Sequence, residues 1–504
     1  MKKIFAIAIA SLAMTSIQAQ DITDALRYSQ TDLNGTARFR AMGGAFGALG
    51  GDFSSLNINP AGSVIFANNQ VGFTLANYNT KNNSNYFGKN TSDSKNSFNL
   101  NQAGAVFVFE NDDQKSSWKK FALALDYENN RNLNNSVFSA GTNPNNSIDN
   151  YFLSYANGVS LGTLNNYYFD ELYYNEQQAY LGYNSYIIDP TANNNTNTSY
   201  YTNIAPGGNY YQENKIKTTG YNGKLAFNFS GQYTDKWSFG LNLNSHFIDF
   251  RQSSSFFESN SNPKYATGST VDNVRFYNDL YTYGSGFSFQ LGTIFKPVKE
   301  VRLGVSYESP TWYRLTDELT QRLVTSGYGL NATQDNTIYS TVATDPNTTM
   351  IFQPYKLKSP GKLTGSFAYV FGKRGLLSID YAFKDYSNTT YRPKSDFTTT
   401  NTTMGNTLTT ASEVRIGGEF KVKKVSFRGG YRWEQSPYKD GTTVGDLTGY
   451  SGGLGFNFGT TKLDLAYSNS KRDYNQQFFT QGLTDAARIK SVNNNVTLTL
   501  LFEL

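Results

Sequence analysis

The sequence predicts an all-β fold, a transmembrane antiparallel β-barrel of about fourteen strands with an N-terminal plug inside its lumen. Three observations predict it. Apolar and polar residues alternate with period two through most of the chain after residue 69. Short and long connections alternate between these runs. The composition combines few hydrophobic residues, 38%, with many aromatic ones, 15%. Globular chains are closer to ~45–50% apolar when Gly is counted. In a membrane barrel only alternate residues face lipid, the lumen is polar and aromatic rings collect at the two interfaces, so the two values belong together.

The first element is a signal peptide over residues 1–19. Lys2 and Lys3 start it, Ile4 to Met14 form a short apolar core, and Ile17-Gln18-Ala19 precedes a cut before Gln20. After residue 19 no run approaches the ~18–20 apolar residues of a membrane helix. The absence of Cys excludes a lipid-anchored lipoprotein, thiolate chemistry and disulfides. A net charge of +5 without a basic run argues against a nucleic-acid partner.

Residues 20–69 form the second element, the plug. Gly43, Gly44, Gly47, Gly50 and Gly51 crowd one stretch, and Asn59, Pro60, Ala61 and Gly62 follow. Such Gly density permits close backbone approach. Pro60 holds Asn59 extended and is expected to stop any helix.

Residues 70–504 form the barrel. The runs are near 70–79, 97–109, 118–132, 218–233, 237–252, 280–295, 301–314, 357–371, 375–387, 411–422, 425–437, 447–458, 461–473 and 490–504. In the last, Val496, Leu498, Leu500, Phe502 and Leu504 share a face, with Leu501 as an exception on the other. Tight turns sit near 110–117, 234–236, 296–300, 372–374, 423–424 and 459–460. Long polar connections sit at 80–96, 133–217, 253–279, 315–356, 388–410, 438–446 and 474–489. Short periplasmic turns opposite long extracellular loops are the asymmetry of outer-membrane barrels. The longest loop, 133–217, carries Leu172, Tyr173, Glu176, Ala179, Tyr180 and Tyr183 at helical spacing, which predicts a helix within 167–188. Its aromatic face either catches apolar ligands or packs on neighbouring loops.

The charges fall on one face of the strands. Arg302, Glu308, Asp380, Lys384, Glu413, Arg415, Glu419, Arg428, Arg432, Glu434 and Asp464 oppose uncharged faces such as Val301, Leu303, Val305 and Tyr307. An Arg or Lys at the lipid midplane costs ~2–4 kcal/mol, so the charged face is the lumen. Two readings of the lumen arginines stand. They neutralise carboxylates within the wall, or Arg302, Arg415, Arg428 and Arg432 include an anchor for a carboxylate ligand. No catalytic residues, metal ligands or cofactor motif emerge. His246 is the single His, and no phosphate loop or nucleophile elbow is present, so an enzyme is not expected.

Several motifs, in order, resemble one family. They are Gly43-Gly44-Ala45 through Asn59-Pro60-Ala61-Gly62, then Val301-Arg302-Leu303-Gly304-Val305-Ser306-Tyr307-Glu308-Ser309-Pro310. Glu413 to Phe420 continues into Phe427-Arg428-Gly429-Gly430-Tyr431, and Gly453-Leu454-Gly455-Phe456 with Leu463-Asp464-Leu465-Ala466-Tyr467 completes the series. The chain resembles the FadL-type long-chain fatty-acid transporters of the outer membrane, which also include toluene and xylene importers. The resemblance implies a fourteen-stranded barrel with a lumen plug, in the outer membrane of a Gram-negative bacterium. It implies passive uptake of hydrophobic small molecules, fatty acids foremost, with sideways exit into outer-membrane lipid. Insertion by the barrel-assembly machinery through the C-terminal strand is part of the same expectation. Loop 133–217 is long for the family, and the chain ends in Leu504 where an aromatic is usual. The alternative is a barrel of the same fold that docks to a protein-secretion assembly.

Overall fold

The computed structural model describes residues 20–504 except Gln114, so the expected signal peptide lies outside the described residues. A 14-strand antiparallel barrel closes on itself. Its strands are β1 (Gln70–Tyr86), β2 (Lys89–Glu110), β3 (Trp118–Asn132), β4 (Tyr210–Tyr233), β5 (Trp237–Ser259) and β6 (Thr270–Phe295). β7 consists of Val301–Glu308 and Trp312–Tyr328, and β8 of Tyr339–Thr344, Met350–Ile351, Tyr355–Lys358 and Lys362–Phe371. β9 (Gly375–Asp385), β10 (Thr410–Val422), β11 (Val425–Glu434), β12 (Val444–Asn457), β13 (Thr461–Gln477) and β14 (Ala486–Glu503) complete the wall. β14 closes on β1 in a register from Gln70↔Glu503 to Asn85↔Arg488.

The alternation decides which way each side chain points. Along β3, Phe121, Leu123 and Leu125 are exposed outward, while Ala122, Ala124 and Asp126 are buried inward. Leu303, Val305 and Tyr307 on β7, and Leu377, Ile379, Tyr381 and Phe383 on β9, face out in the same way. Rings gather at the short-turn end: Trp237 stacks on Phe295 at 4.3 Å between centroids, and Trp118 meets Tyr233 edge-on at 5.4 Å. Leu501, the exception in β14, turns inward and packs with Phe53 and Val106.

β7 is broken at Pro310, which has no N–H for a ladder. Ser309 bridges the gap: its N–H donates to the Phe289 carbonyl at 2.9 Å, and its Oγ accepts from the Phe289 N–H at 2.9 Å.

Several segments expected as loops are strand. Residues 80–96 form a continuous hairpin that turns at Phe87 (φ 45°) and Gly88 (φ 80°), a two-residue turn whose positive φ values match strand twist. β5 runs to Ser259, β6 starts at Thr270, and β13 and β14 likewise overrun the expected 474–489 loop. Above the membrane both faces of a strand meet water or polar loops, so the hydrophobic period that identifies a strand is absent there. The wall strand placed at 218 starts at Tyr210, inside the expected 133–217 loop.

The rest of that loop builds a cap. α3 (Asp149–Ala156), α4 (Leu161–Asn166) and α5 (Tyr174–Asn184) pack through Ile148, Phe152, Leu164, Ala179 and Leu181. They rest on Phe256, Phe276 and Leu323 of the extended strands and on Leu483. The expected helix is therefore a packed one, although Tyr173 at its start stays exposed.

Glu258, at the long-loop end of β5, ties the cap to the wall. Its carboxylate accepts from the Ser147 hydroxyl, the Ile148 N–H at 3.0 Å and the Gln212 amide at 2.7 Å. Burial pushes Glu258 up to about 7, with Asp149 adding to the rise and these bonds opposing it. The folded cap thus holds a proton that the unfolded chain releases near pH 4.5. Its stability is greatest below that pH, falls as pH rises towards 7, and is level above. Amide exchange of α3, corrected for intrinsic rates, is expected to be roughly a hundredfold faster at pH 7.5 than at pH 4.5. Glu258→Gln should remove most of this dependence; an unchanged profile in that variant would assign it elsewhere.

Candidate functional site

Residues 20–66 lie inside the barrel as α1 (Ile22–Ser29), α2 (Ala37–Ala41) and two 3-10 turns, Phe53–Asn57 and Pro60–Ile65. Pro60 opens the second turn instead of stopping one: its missing N–H is harmless at a first helical position. Asn59 caps that turn and stays extended, accepting from the Ala61 N–H at 3.1 Å.

The segment touches strands around the whole circumference. Asn57 donates to Asp126 on β3 at 2.7 Å, and Ser63 meets Ser230 on β4 at 2.6 Å. Asn242 on β5 donates to the Leu56 carbonyl at 2.8 Å, and Gln290 on β6 to the Ile58 carbonyl at 2.9 Å. Asp380 on β9 accepts from the Phe46 N–H at 2.9 Å and the Gly47 N–H at 3.1 Å. Ser451 on β12 donates to the Ala41 carbonyl at 3.0 Å, and Thr499 on β14 accepts from the Ala37 N–H at 2.7 Å.

The glycines allow this approach from both sides. A Cβ on Gly43 would fall 2.7 Å from the Tyr431 carbonyl oxygen, and one on the facing wall residue Gly430 would fall 2.2 Å from the Gly43 nitrogen. Wall residues Gly304 and Gly240 are bare for the same reason, against the Gly47 carbonyl and Pro60. Gly44, Gly50 and Gly51 take positive φ, and the Gly51 N–H donates to the Gly62 carbonyl at 3.1 Å. Asn59 links the two halves of the segment to the wall, donating to the Gly47 carbonyl at 2.8 Å and the Thr293 carbonyl at 2.9 Å.

The four lumen arginines fall into two kinds. Arg428 donates to Glu419 at 2.7 Å and Asp464 at 2.5 Å, and Arg38 of the N-terminal segment joins Glu419 at 2.9 Å. Arg415 pairs with Glu413, which also takes Lys362 at 2.6 Å. Arg432 pairs with Glu434 and lies 3.8 Å from Glu413. These three stand side by side on β10 and β11, where Arg415↔Arg432 and Glu419↔Arg428 are register partners. Their charge is already met by carboxylates. Arg302 stands apart on β7 and donates to the Leu49 carbonyl at 2.7 Å. His246 is buried, with Nε2 2.8 Å from the Ser288 hydroxyl.

A different pair of cations was not among the anchors expected from the sequence. Arg131, near the end of β3, donates to the Leu26 carbonyl at 3.2 Å and the Arg27 carbonyl at 2.7 Å. Lys384, on β9, donates to the Ser29 carbonyl at 2.5 Å. Among the described residues neither forms an ion pair within 4.0 Å. Both hold the C-terminal carbonyls of α1, where the helix dipole is negative. Lys384 carried a readable signal: its register neighbours are Lys362 and Ala411, so no cross-strand carboxylate answers it. Arg131 sits in an Asn-rich stretch, Asn129-Asn130-Arg131-Asn132, where alternation is lost.

α1 itself fills an apolar chamber. Ala25, Leu26 and Tyr28 pack with Phe250 on β5, Tyr313 and Leu315 on β7, Tyr355 and Leu357 on β8, and Tyr391 and Phe397 of the loop after β9. Phe250 meets Tyr28 edge-on at 6.3 Å, and the Arg27 guanidinium covers its face at 4.2 Å. A lumen cavity lined by Ile58, Lys362, Thr364, Asp380, Glu413 and Arg415 among others offers only about 10 Å³. Ligand sites occupy ~300–1,000 Å³, so this cavity is too small to be one.

Beside the chamber the β2–β3 ladder is interrupted, and the Asn132 amide donates across the interruption to the Ser97 hydroxyl at 3.0 Å. The β2–β3 ladder stops at Gln102↔Glu128, although β2 starts at Lys89 and β3 runs to Asn132. The β3–β4 register shifts between Asn129 and Arg131, an irregularity that bends a strand. The chain after α1 covers the unpaired backbone. The Asp32 N–H donates to the Asn130 carbonyl at 3.1 Å, the Asn34 amide donates to the Asn129 carbonyl, and Asp32 accepts from the Asn132 N–H at 3.2 Å. β3 carries no Gly or Pro, so nothing in its residue types marks the break.

No family model and no curated protein sequence matches the chain. Solved structures do. A FadL homologue of Pseudomonas aeruginosa superposes with a TM-score of 0.55 at 12% identity, covering 94% of this chain and 99% of that one. The toluene transporter TodX of P. putida gives 0.50 at 14% identity over 94% and 99%. A TodX variant described as a monoaromatic hydrocarbon channel gives 0.52 at 13% identity over 94% and 100%. The chain has the fold of the FadL-type outer-membrane barrels.

Proposed function

We propose that this barrel is an outer-membrane channel for passive uptake of hydrophobic compounds, with long-chain fatty acids as its main substrate. The observation that carries the reading is the apolar chamber in the lumen, occupied by α1 rather than by side chains of the wall. A ligand tail that replaces Ala25 and Leu26 meets Phe250, Tyr313, Tyr355 and Tyr391, and each methylene buried contributes ~0.8 kcal/mol. A carboxylate that replaces the α1 carbonyls receives Arg131 and Lys384, two cations with no ion-pair partner to give up. Withdrawal of α1 also draws residues 32–34 from the β3 edge and uncovers the gap beside β2, a sideways route into lipid. The likeness to FadL and toluene-channel structures supports the same reading at the level of the fold. No step here calls for bond chemistry, so the chain is read as a channel and not an enzyme.

The test is entry of labelled oleate and of toluene into cells that carry this chain as their only barrel of the fold, against cells without it. Faster entry of oleate, reduced by excess unlabelled fatty acid, is expected. Equal entry with and without the chain would reject uptake as its function.

A further inference from the structure

At the short-turn end, two neighbouring turns carry a concentration of positive charge. The β8–β9 turn presents Lys373 and Arg374, and the β10–β11 turn presents Lys423 and Lys424, all exposed. The turns adjoin, since the Lys421 N–H donates to the Arg374 carbonyl at 2.7 Å. Neither turn contains a carboxylate. Among the described residues none of the four side chains has an ion-pair partner, whereas Lys462 two strands away is paired with Glu503. Four unanswered cations in so small an area repel one another and call for an anion from outside the chain.

The surroundings of the patch identify that anion. Phe371 and Phe420 stand immediately beside the cations on the lipid-facing side, each at least half exposed. Such rings mark the depth where acyl chains give way to headgroups. In outer-membrane barrels the short turns face the periplasm, so the neighbouring headgroups are those of the inner phospholipid leaflet.

We propose that Lys373, Arg374, Lys423 and Lys424 form a docking surface for anionic phospholipid of that leaflet, the phosphodiester held by the cations and the acyl chains lying along Phe371 and Phe420. Guanidinium and ammonium groups suit phosphate oxygens through charge-assisted bonds, and juxtamembrane basic clusters attract anionic lipid. The surface is separate from the uptake path and stands whether or not the lumen carries ligand.

The experiment uses the full chain in nanodiscs of phosphatidylcholine with a minor share of phosphatidylglycerol. Release into mild detergent and native mass spectrometry then count the lipids retained. The intact protein is expected to keep phosphatidylglycerol well above its share. The variant K373Q/R374Q/K423Q/K424Q should lose that enrichment by about tenfold. A variant with four extracellular lysines replaced, K81Q/K89Q/K394Q/K490Q, should keep it. Heat-modifiable gel migration confirms that each variant is a folded barrel. Equal enrichment in all three proteins, no enrichment in the intact one, or an equal loss in both variants would overturn the proposal.

Discussion

Deletion of residues 20–66 is expected to turn a nearly closed barrel into an open aqueous channel. Eight strands enclose just enough space for side chains, and sixteen to eighteen leave a water-filled pore. Fourteen fall nearer the second case, so something must fill the lumen, and here residues 20–66 do. Residues 41–50 are buried throughout, and the segment's partners lie on strands from β3 round to β14. The wall does not depend on them for closure, because β1 pairs with β14 along its own ladder. In planar bilayers the intact chain should stay near baseline conductance, while the deletion conducts in large, stable steps. Equal conductance of the two would mean that this segment does not occlude the lumen.

The second large effect concerns ligand charge. Arg131→Gln and Lys384→Gln are each expected to weaken fatty-acid binding by roughly tenfold to a hundredfold, since a hydrogen bond to a charged group contributes ~1.5–3 kcal/mol net. The matching fatty alcohol should lose little, having no carboxylate to place. Arg415→Gln, Arg428→Gln and Arg432→Gln are expected to act differently. Each leaves a buried or half-buried carboxylate short of its cation, so barrel stability falls and both ligands weaken together. Isothermal titration of the two ligands against the five variants separates these behaviours. Parallel losses of acid and alcohol in the Arg131 and Lys384 variants would remove both residues as carboxylate anchors.

Much of the wall was legible in the sequence because lipid imposes a strict alternation. Leu377, Ile379, Tyr381 and Phe383 face out and Asp380 faces in because the opposite choice costs several kcal/mol. The same constraint brought Arg415, Arg428 and Arg432 together in the lumen. Legibility failed where the constraint ends. Above the membrane, Thr80 to Asn96 pair as strand while both faces are polar, and the period carries no signal. The irregularity at Asn129–Arg131 is a register shift between β3 and β4, a property of two strands that neither sequence run displays alone. Of the four arginines named as candidate anchors, Arg415, Arg428 and Arg432 carry carboxylate partners in the structure, and Arg302 holds the Leu49 carbonyl. Glu413 and Glu434 pair with Arg415 and Arg432 two residues away on the same strands, whereas the pairing of Arg428 with Glu419 and Asp464 depends on the register of neighbouring strands. The contacts of Arg131 and Lys384 with the α1 carbonyls are tertiary and leave no pattern in the sequence.

The central claim is that a hydrophobic ligand takes the chamber now filled by α1. Photolabelling tests it most directly. A fatty acid with a diazirine near its methyl end is incubated with the barrel in detergent, irradiated, and its adducts mapped by peptide mass spectrometry. Adducts on Phe250, Tyr313, Tyr355 or Tyr391, suppressed by excess unlabelled fatty acid, are the predicted result. Adducts confined to lipid-facing residues such as Phe227, Leu303 or Leu377, and unaffected by that excess, would contradict it.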